Sequence, residues 1–477
     1  MKVMVIGLDC AAPQLVLERW REELPTLRGL MATGAYGRLQ STHPPITVPA
    51  WAAMMSSRDP GELGIYGFRN RKDYSYDGYI IANGAAMPYD RAWDVLSRYG
   101  KQVILLGVPQ TYPPKAINGC MVTDFLTPST KSQYTYPPEL KQEVEQVSGG
   151  YVLDVEDFRT PDKQALLGRV YDKTKKHFRV AKHLISTKPW DFFMLVEMGV
   201  DRIHHGFWSY MDPAHPKYEA GNPFEHAIHD YYRYVDREVG ELIGLAPKDT
   251  VVMVVSDHGA KKMDGGICFN EWLIQEGFLT LVSQPEEPTP IDKVSIDWGR
   301  TKAWGDGGYY GRLFLNVQGR EPQGTIPPQD YERVRQELID KIAAITDPDG
   351  RNLGSRAYRP QELYRTVTGF PPDLIVYFGD LHWRSVGSVG VGSLYTFEND
   401  TGPDEANHDW HGIFILNNVG CQQGRVEPGY KEGLRLYDVG PTVLNLFGLP
   451  PDPQAVGRSV TAYQPGLGAR IQRWWRE

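Results

Sequence analysis

The chain has 477 residues, and its hydrophobic content of 41% and charged content of 23% are ordinary for a soluble globular protein. Its net charge is −8 and it contains no run of Lys and Arg, so binding to a nucleic-acid polymer through counterion release is not expected. An acidic protein that binds an anionic substrate needs metal ions or local cations to offset the repulsion.

The N-terminus does not have the pattern of a signal peptide, because its apolar run covers only residues 3–8 and ends at Asp9. No stretch has the length and apolar character of a membrane-spanning helix. The cysteines are scattered and form no CxxC pair, which favours reduced thiols. We therefore expect a cytoplasmic protein with no membrane partner. The cysteines are Cys10, Cys120, Cys268 and Cys421.

The first segments predict an α/β fold. Residues 3–9 form a short apolar run that ends in an acid, which is typical of a buried parallel strand with Asp9 at its carboxyl end. Open α/β sheets bind ligands at that edge. Helical segments interrupted by Pro25 follow, and residues 35–42 predict the next strand.

Thr47 stands between a turn-forming His-Pro-Pro and an apolar helical run. Pro49 falls in the first helical turn, where its missing N–H is tolerated. Thr47 is therefore predicted as the N-cap of this helix, close to the free N–H groups that attract phosphate. An ordinary capping residue and a nucleophile that attacks phosphorus are both consistent with this position.

Asp201 and His205 follow the predicted strand that begins near residue 189. If the turn after that strand becomes helical, their spacing of four residues puts both side chains on one face, where they can chelate a metal. A hydrogen-bonded Asp–His pair is the alternative for this spacing, and His204 and His215 are nearby competitors.

Residues 249–260 predict the clearest strand of the chain. Its β-branched run delivers Asp257 and His258 at the carboxyl end, where a buried acid and imidazole are costly unless they are paired or bound to metal. Later in the chain, His408 precedes a predicted strand at 413–416. Tyr309, Tyr310 and Arg312 begin a predicted strand and are candidates for substrate contact, with a solvated edge as the alternative.

The ordered set of these residues resembles the alkaline phosphatase superfamily, and within it the type I phosphodiesterase/nucleotide pyrophosphatase-like proteins. The shared stretches are GLD at 7–9, TVPAW at 47–51, DHG at 257–259 and PTVLNLFGLP at 441–450. The resemblance covers essentially the whole chain. It implies a three-layer α/β/α fold with a mostly parallel central sheet and inserted cap segments. It also implies a core at 1–280 and 365–465, an inserted substrate-binding region at 281–364 and a C-terminal tail at 466–477.

The same resemblance implies two divalent metal ions, with Zn²⁺ favoured by mixed Asp/His ligation and Mn²⁺ as the alternative. By position, Asp201, His205 and His408 would hold one ion. The other would be held by Asp9, Asp257, His258 and the oxygen of Thr47. His411 competes with His408, which is preferred because Gly412 follows it at the family's spacing of four.

The activity implied is hydrolysis of phosphodiester or pyrophosphate bonds in a small, nucleotide-like substrate through a phosphothreonine intermediate on Thr47. Leu63 replaces the histidine of many relatives, and Asn70 is the nearest counterpart of their phosphate-binding asparagine, so diester and monoester substrates stay open. A phosphomonoesterase, phosphonate hydrolase or phosphomutase of the same fold, or a catalytically silent metal-binding protein, are the alternatives. A sulfatase is disfavoured because its nucleophile motif is missing.

Overall fold

The computed structural model describes residues 1–417, 426–450 and 452–461. Cys421 and the predicted tail at 466–477 lie outside these described residues. Helices separate single strands or groups of strands along the described chain. The strands are β1 (Val3–Leu8), β2 (Ala35–Gln40), β3 (Arg69–Arg71), β4 (Tyr79–Ile81), β5 (Val103–Leu106), β6 (Gly119–Val122), β7 (Thr135–Tyr136), β8 (Phe192–Glu197), β9 (Val251–Val255), β10 (Gly259–Lys262), β11 (Gly265–Cys268), β12 (Ala303–Asp306), β13 (Gly311–Leu315), β14 (Arg356–Tyr358), β15 (Leu374–Tyr377), β16 (Trp383–Val386), β17 (Tyr395–Thr396), β18 (Ala406–Asp409), β19 (His411–Asn417), β20 (Gly429–Tyr430) and β21 (Leu434–Arg435). The α-helices are α1 (Pro25–Thr33), α2 (Thr47–Ser56), α3 (Pro60–Leu63), α4 (Ala92–Arg98), α5 (Leu140–Ser148), α6 (Lys163–Thr187), α7 (Gly199–Met211), α8 (Ala227–Gly244), α9 (Phe269–Gln275), α10 (Tyr331–Ala343), α11 (Pro360–Leu363) and α12 (Val439–Leu446).

A large, mostly parallel sheet forms the centre of the molecule. Among the described residues it has ten strands in the order β20, β2, β19, β9, β1, β8, β5, β6 and β7, with β21 also paired to β2. β1 runs parallel to β8 and β9, and β5 runs parallel to β8. β19 is antiparallel to β2 and β9, and β7 is antiparallel to β6. The predicted fold class is confirmed.

Helices cover both faces of this sheet because its strands are apolar on both sides. Met4 and Ile6 of β1 belong to a core shared with α1, α6, α7 and α8. Val3 and Val5 of the same strand belong to the core on the opposite face, with α2, α4 and α12. A strand that is buried on both faces reads as a continuous apolar run, so the alternation of β1 side chains between two cores produces the three layers.

A smaller unit packs beside the carboxyl edge of the central sheet. Its four-stranded sheet has the order β12, β13, β15 and β14, and its core includes apolar side chains of α9 and α10. β13 lies inside the predicted insertion at 281–364 and pairs with β15, which lies outside it, so the smaller sheet extends beyond that range. As a division into domains, that range stays a prediction. Ile46 packs against Tyr310 and Tyr377 of this unit, which brings the start of α2 up to it.

The prediction of helical segments interrupted by Pro25 is confirmed. Short helical turns at Gln14–Arg19 and Arg21–Glu23 precede it, and Pro25 then begins α1, because the first helical position does not need the N–H that proline lacks.

Candidate functional site

Thr47 lies at the start of α2, at the carboxyl edge of the central sheet. It is the first helical residue and Ile46 is the N-cap, so the predicted capping role is wrong because the helix begins one residue earlier. Its hydroxyl lies 3.3 Å from Nε2 of His258. The first N–H groups of a helix have no acceptor within the helix. An anion near the Thr47 hydroxyl therefore also faces free backbone donors.

One group of side chains, the first cluster, consists of Asp201, His205 and His408. Helix α7 carries Asp201 and His205 on one face, as their spacing predicts, and β18 carries His408. His205 Nε2 lies 3.1 Å from Asp201 Oδ1 and 3.2 Å from His408 Nε2. His408 Nε2 lies 3.7 Å from the same carboxylate oxygen. The three atoms, Asp201 Oδ1, His205 Nε2 and His408 Nε2, thus converge on one point, as the ligand atoms of a metal ion do.

The second cluster consists of Asp9, Asp257, His258 and Thr47. Asp9 follows β1, and Asp257 and His258 follow β9, so parallel pairing of these strands brings all three to one edge. His258 Nε2 lies 3.1 Å from Asp257 Oδ2 and 3.7 Å from Asp9 Oδ1. The Trp51 indole donates to the other oxygen of Asp9 at 2.6 Å and fixes its orientation.

The two clusters are in contact. The imidazole rings of His258 and His408 stack with 3.8 Å between their centroids. All seven residues are almost fully buried, at 2% exposure or less. The structure therefore brings together every residue that the resemblance assigned to a metal: Asp9, Thr47, Asp201, His205, Asp257, His258 and His408.

The clusters carry concentrated negative charge. Burial, together with the carboxylate of Asp257, raises the pKa of Asp9 well above its usual value. Burial opposes the charged form of His258, but Asp257 and Asp9 raise its pKa to about 9. Burial likewise opposes the charged form of His205, and Asp404 and Asp201 raise its pKa to about 9. When no metal ion is bound, the protons on His205 and His258 supply the positive charge that balances these carboxylates.

The donor set fits divalent cations. Asp9 Oδ1 is buried and has no hydrogen-bond partner within the described residues, and the buried Asp257 Oδ2 has only the ion pair with His258. Buried polar atoms without partners are rare and require an explanation such as a bound ion. Imidazole and carboxylate ligands together suit Zn²⁺, and Mn²⁺ is the alternative. A bound ion would replace the imidazolium protons, because histidine ligates metal in its neutral form.

Hydrogen bonds behind the imidazoles fix their orientation. His205 Nδ1 donates to Asp404 Oδ1 at 2.7 Å, and His408 Nδ1 donates to the carbonyl of Pro45 at 3.0 Å. His258 Nδ1 donates to the carbonyl of Gly259 at 3.2 Å. Each bond leaves Nε2 free to face its cluster. Asp404 was not predicted from the sequence, because an acid in a polar loop gives no periodic signal.

The first cluster opens into a cleft of about 550 Å³ between the central sheet and the smaller unit. Tyr309, from the smaller unit, stacks on the rings of both His205 and His408, with centroid distances of 4.8 and 4.2 Å. Its hydroxyl donates to Asp404 Oδ2 at 3.0 Å. Thr47, Asp201, His408 and five arginines line the same cleft, so an anionic substrate can reach the clusters. The arginines are Arg69, Arg159, Arg202, Arg312 and Arg384.

The three predicted substrate residues have different surroundings. Tyr310 lines the cleft, and its hydroxyl donates to the carbonyl of Tyr66. Arg312 also lines the cleft and forms an ion pair with Asp306 at 3.0 Å. Asn70 is buried, and both ends of its amide bind backbone groups of its own loop, at Tyr66 N and Gly67 O. Asn70 therefore stabilises the loop, and its contact with a substrate phosphate stays a prediction.

The competing residues lie apart from the first cluster or belong to other contacts. His204 Nε2 pairs with the Tyr232 hydroxyl, and His215 Nε2 donates to the carbonyl of Glu405. His411 is half-buried at the start of β19, where it faces Arg38 and Asp409. Cys10 comes close to His258 and His408, and its thiol contacts the carbonyl of Gly259 at 3.3 Å. Cys10 is a buried free thiol, as expected.

A three-layer α/β fold with paired Asp/His clusters and a hydroxyl at a helix start defines the alkaline-phosphatase-like phosphoester hydrolases. The family profile described as type I phosphodiesterase / nucleotide pyrophosphatase matches residues 3–404. The chain belongs to this family, whose members depend on metal ions.

Solved structures share the fold at low sequence identity. Human ectonucleotide pyrophosphatase/phosphodiesterase 5 is 12% identical with a TM-score of 0.55, covering 95% of this chain and 96% of that one. Phosphonoacetate hydrolase from Sinorhizobium meliloti in complex with phosphonoacetate is 16% identical with a TM-score of 0.59, covering 92% and 94%. An inactive threonine-to-alanine variant of murine ectonucleotide pyrophosphatase/phosphodiesterase 5, in complex with AMP, is 12% identical with a TM-score of 0.56. The match covers 97% of this chain and 98% of that one.

No sequence among the curated proteins matches this chain. In the described part of the chain, no helix has both the length and the apolar surface needed to cross a bilayer.

Proposed function

We propose that this protein hydrolyses phosphodiester or pyrophosphate bonds of small, nucleotide-like substrates, with Thr47 as the nucleophile and two divalent cations as cofactors. The observation that carries the proposal is the convergence of two Asp/His clusters beside a buried threonine hydroxyl at a helix start. Membership of the nucleotide pyrophosphatase family supports the reaction, and the AMP complex of the murine neighbour supports the substrate class.

The chemistry of Thr47 follows from its position. Bound divalent cations supply positive charge that lowers the pKa of a hydroxyl and offsets the charge of the phosphoryl group. The Thr47 oxygen attacks phosphorus, the bond from phosphorus to the leaving oxygen breaks, and the departing group takes up a proton. Water then attacks the phosphothreonine, which releases phosphate or a phosphomonoester and restores the hydroxyl. Backbone N–H groups at the start of α2 would hold a non-bridging oxygen.

The protein's own side chains orient these groups. Trp51 fixes one oxygen of Asp9, so the other is directed at the second cluster. Arg202 donates to Asp201 Oδ2 at 2.5 Å and leaves Oδ1 for the first cluster. Tyr309 covers the imidazoles of the first cluster and limits the access of water from the cleft.

The decisive experiment compares Thr47→Ala with Thr47→Ser in protein loaded with Zn²⁺ or Mn²⁺. With bis-p-nitrophenyl phosphate as substrate, we expect Thr47→Ala to lower kcat by at least about 10³-fold, because the nucleophile is lost. Thr47→Ser keeps the hydroxyl and should retain measurable turnover. Acid-quenched wild type should carry one phosphoryl group on the peptide that contains Thr47. Unchanged turnover in Thr47→Ala, with metal still bound, would show that another group is the nucleophile.

Phosphonate hydrolysis is the second candidate, because the Sinorhizobium meliloti phosphonoacetate hydrolase shares the fold over nearly the whole chain. Turnover of bis-p-nitrophenyl phosphate, p-nitrophenyl phosphate, a dinucleoside polyphosphate and phosphonoacetate under the same conditions separates the candidates. The diester or the dinucleotide should give the highest kcat/KM. A higher kcat/KM on the monoester would make the protein a phosphomonoesterase, and a higher value on phosphonoacetate would make it a phosphonate hydrolase.

A further inference from the structure

Arg384 is a buried arginine whose guanidinium borders the cleft without a hydrogen-bond acceptor. Its side chain is 6% exposed, and its Nε and Nη1 have no partner in the described ranges of the chain. A buried donor that stays unpaired bears its full desolvation cost, and the cost is larger for a charged group. Donors that remain free at the wall of a cleft are therefore suited to an incoming anion.

The nearest carboxylates do not satisfy this guanidinium. Asp404 Oδ2 lies 3.6 Å from Nη1, and Asp400 Oδ1 lies 4.0 Å from Nη2, both beyond hydrogen-bond distance. Asp404 is already engaged by His205 and Tyr309. Neither acid accepts a hydrogen bond from the guanidinium, so its N–H groups stay free for a ligand in the cleft that Arg384 lines.

Two other arginines of the cleft, Arg202 and Arg312, have acceptors. Arg202 donates to the carboxylates of Asp201 and Asp154, and Arg312 donates to Asp306. A second cavity beside Arg384, of about 20 Å³, has room for one water molecule. One water accepts at most two of the five N–H groups of a guanidinium. The water of this small cavity therefore leaves most of these N–H groups to be paired from the side of the cleft.

Arg384 is close to the proposed reaction centre. It belongs to β16, and its guanidinium carbon lies 5.6 Å from the centroid of the Tyr309 ring. Tyr309 stacks on His408 of the first cluster, so one aromatic ring separates Arg384 from the cluster. Arg384, Thr47 and His408 line the same cleft. A substrate with its phosphoryl group at Thr47 can place another substituent against Arg384.

We infer that Arg384 binds a second anionic group of the substrate, a carboxylate or a further phosphoryl group, beyond the phosphorus that is attacked. The inference rests on the proposed function for the position of the first phosphoryl group. The planar guanidinium presents two parallel N–H groups that match the oxygens of either anion. Arg384 thus selects substrates with two separated anionic groups over substrates with one.

Calorimetric binding of three inhibitors to the metal-loaded full chain tests this selection without turnover. Methylphosphonate carries one anionic group, phosphonoacetate adds a carboxylate, and methylenediphosphonate adds a second phosphoryl group. In Arg384→Gln, we expect affinity for at least one two-anion probe to fall about 10- to 100-fold more than affinity for methylphosphonate. The probe with the larger loss identifies the anion. Arg384→Lys keeps the charge and should recover part of the loss.

Arg351→Gln is the matched control, because Arg351 lies on the same unit with an 80% exposed side chain and is not part of the cleft lining. It should leave the ratio of affinities unchanged. Equal weakening of all three probes in Arg384→Gln would overturn the inference, because the arginine would then act on the first cluster through Asp404. Unchanged affinities would overturn it too. Failure of the two proposals can be told apart. If Thr47→Ala keeps full turnover, Thr47 is not the nucleophile, and the ratio of probe affinities can still depend on Arg384.

Discussion

Asp404→Asn should weaken metal binding at the first cluster while leaving the backbone in place. The carboxylate of Asp404 is fully buried and accepts the Nδ1–H of His205 at 2.7 Å, which fixes the imidazole with Nε2 towards Asp201 and His408. Asparagine keeps the size of the side chain. It removes the negative charge that raises the basicity of His205, and its NH₂ group can turn towards the ring.

The size of the effect follows from the partners that are lost. Removal of a carboxylate behind a ligating histidine typically lowers metal affinity about 10- to 100-fold, or about 1.4–2.8 kcal/mol. Asp404 also accepts hydrogen bonds from Tyr309 and Arg159, so the upper part of this range is expected. Metal affinity at the second cluster should change less, because Asp9 and Asp257 do not contact Asp404.

The assay is competition for Zn²⁺ against a chromophoric chelator, which resolves the two binding steps. Glu405→Gln is the control, because Glu405 is the next residue, is buried, and contacts His205 only through its backbone N–H. It removes a buried negative charge without touching the imidazole. A loss below about twofold in Asp404→Asn, or an equal loss in Glu405→Gln, would refute the assignment of Asp404 as the residue that orients His205.

Two further predictions concern stability. In the presence of a chelator, the melting temperature should fall between pH 6.5 and 9. The raised pKa values of about 9 for His205 and His258 mean that protonation stabilises the fold below the unfolded pKa of about 6.5, and this contribution disappears as the pH approaches 9. Metal-loaded protein should not show this decline, and parallel curves with and without metal would contradict the prediction. Lys173→Met should lower the urea-derived free energy of unfolding by about 3–5 kcal/mol, because it leaves Glu197 buried without its partner at 2.8 Å. The added change Glu197→Gln should recover much of this loss, and no recovery would count against the ion pair as its cause.

The predictions that succeeded rest on local signals. The apolar run at 3–8 and the β-branched run at 251–255 form parallel neighbours, because strands buried on both faces need continuous apolar sequence. The spacing of Asp201 and His205 fixes their common face as soon as the turn becomes helical, as it does in α7.

The predictions that failed, or could not be made, depend on distant parts of the chain. Thr47 has the sequence context of an N-cap, but Ile46 takes that position while packed against the smaller unit. No local pattern marks Asp404 or Arg384, because an isolated charged residue in a polar stretch is usually solvated.

The sequence by itself determined which residue types stand at the ends of strands and helices, since hydrophobic periodicity and turn residues set those positions along the chain. Together with the family resemblance, it supplied the metal-binding candidates. Only the tertiary structure decided which polar atoms share a buried space and which of them lack a partner. Solvation and charge balance depend on neighbours in space: His205 and Asp404 are 199 residues apart along the chain, although their side chains lie 2.7 Å apart.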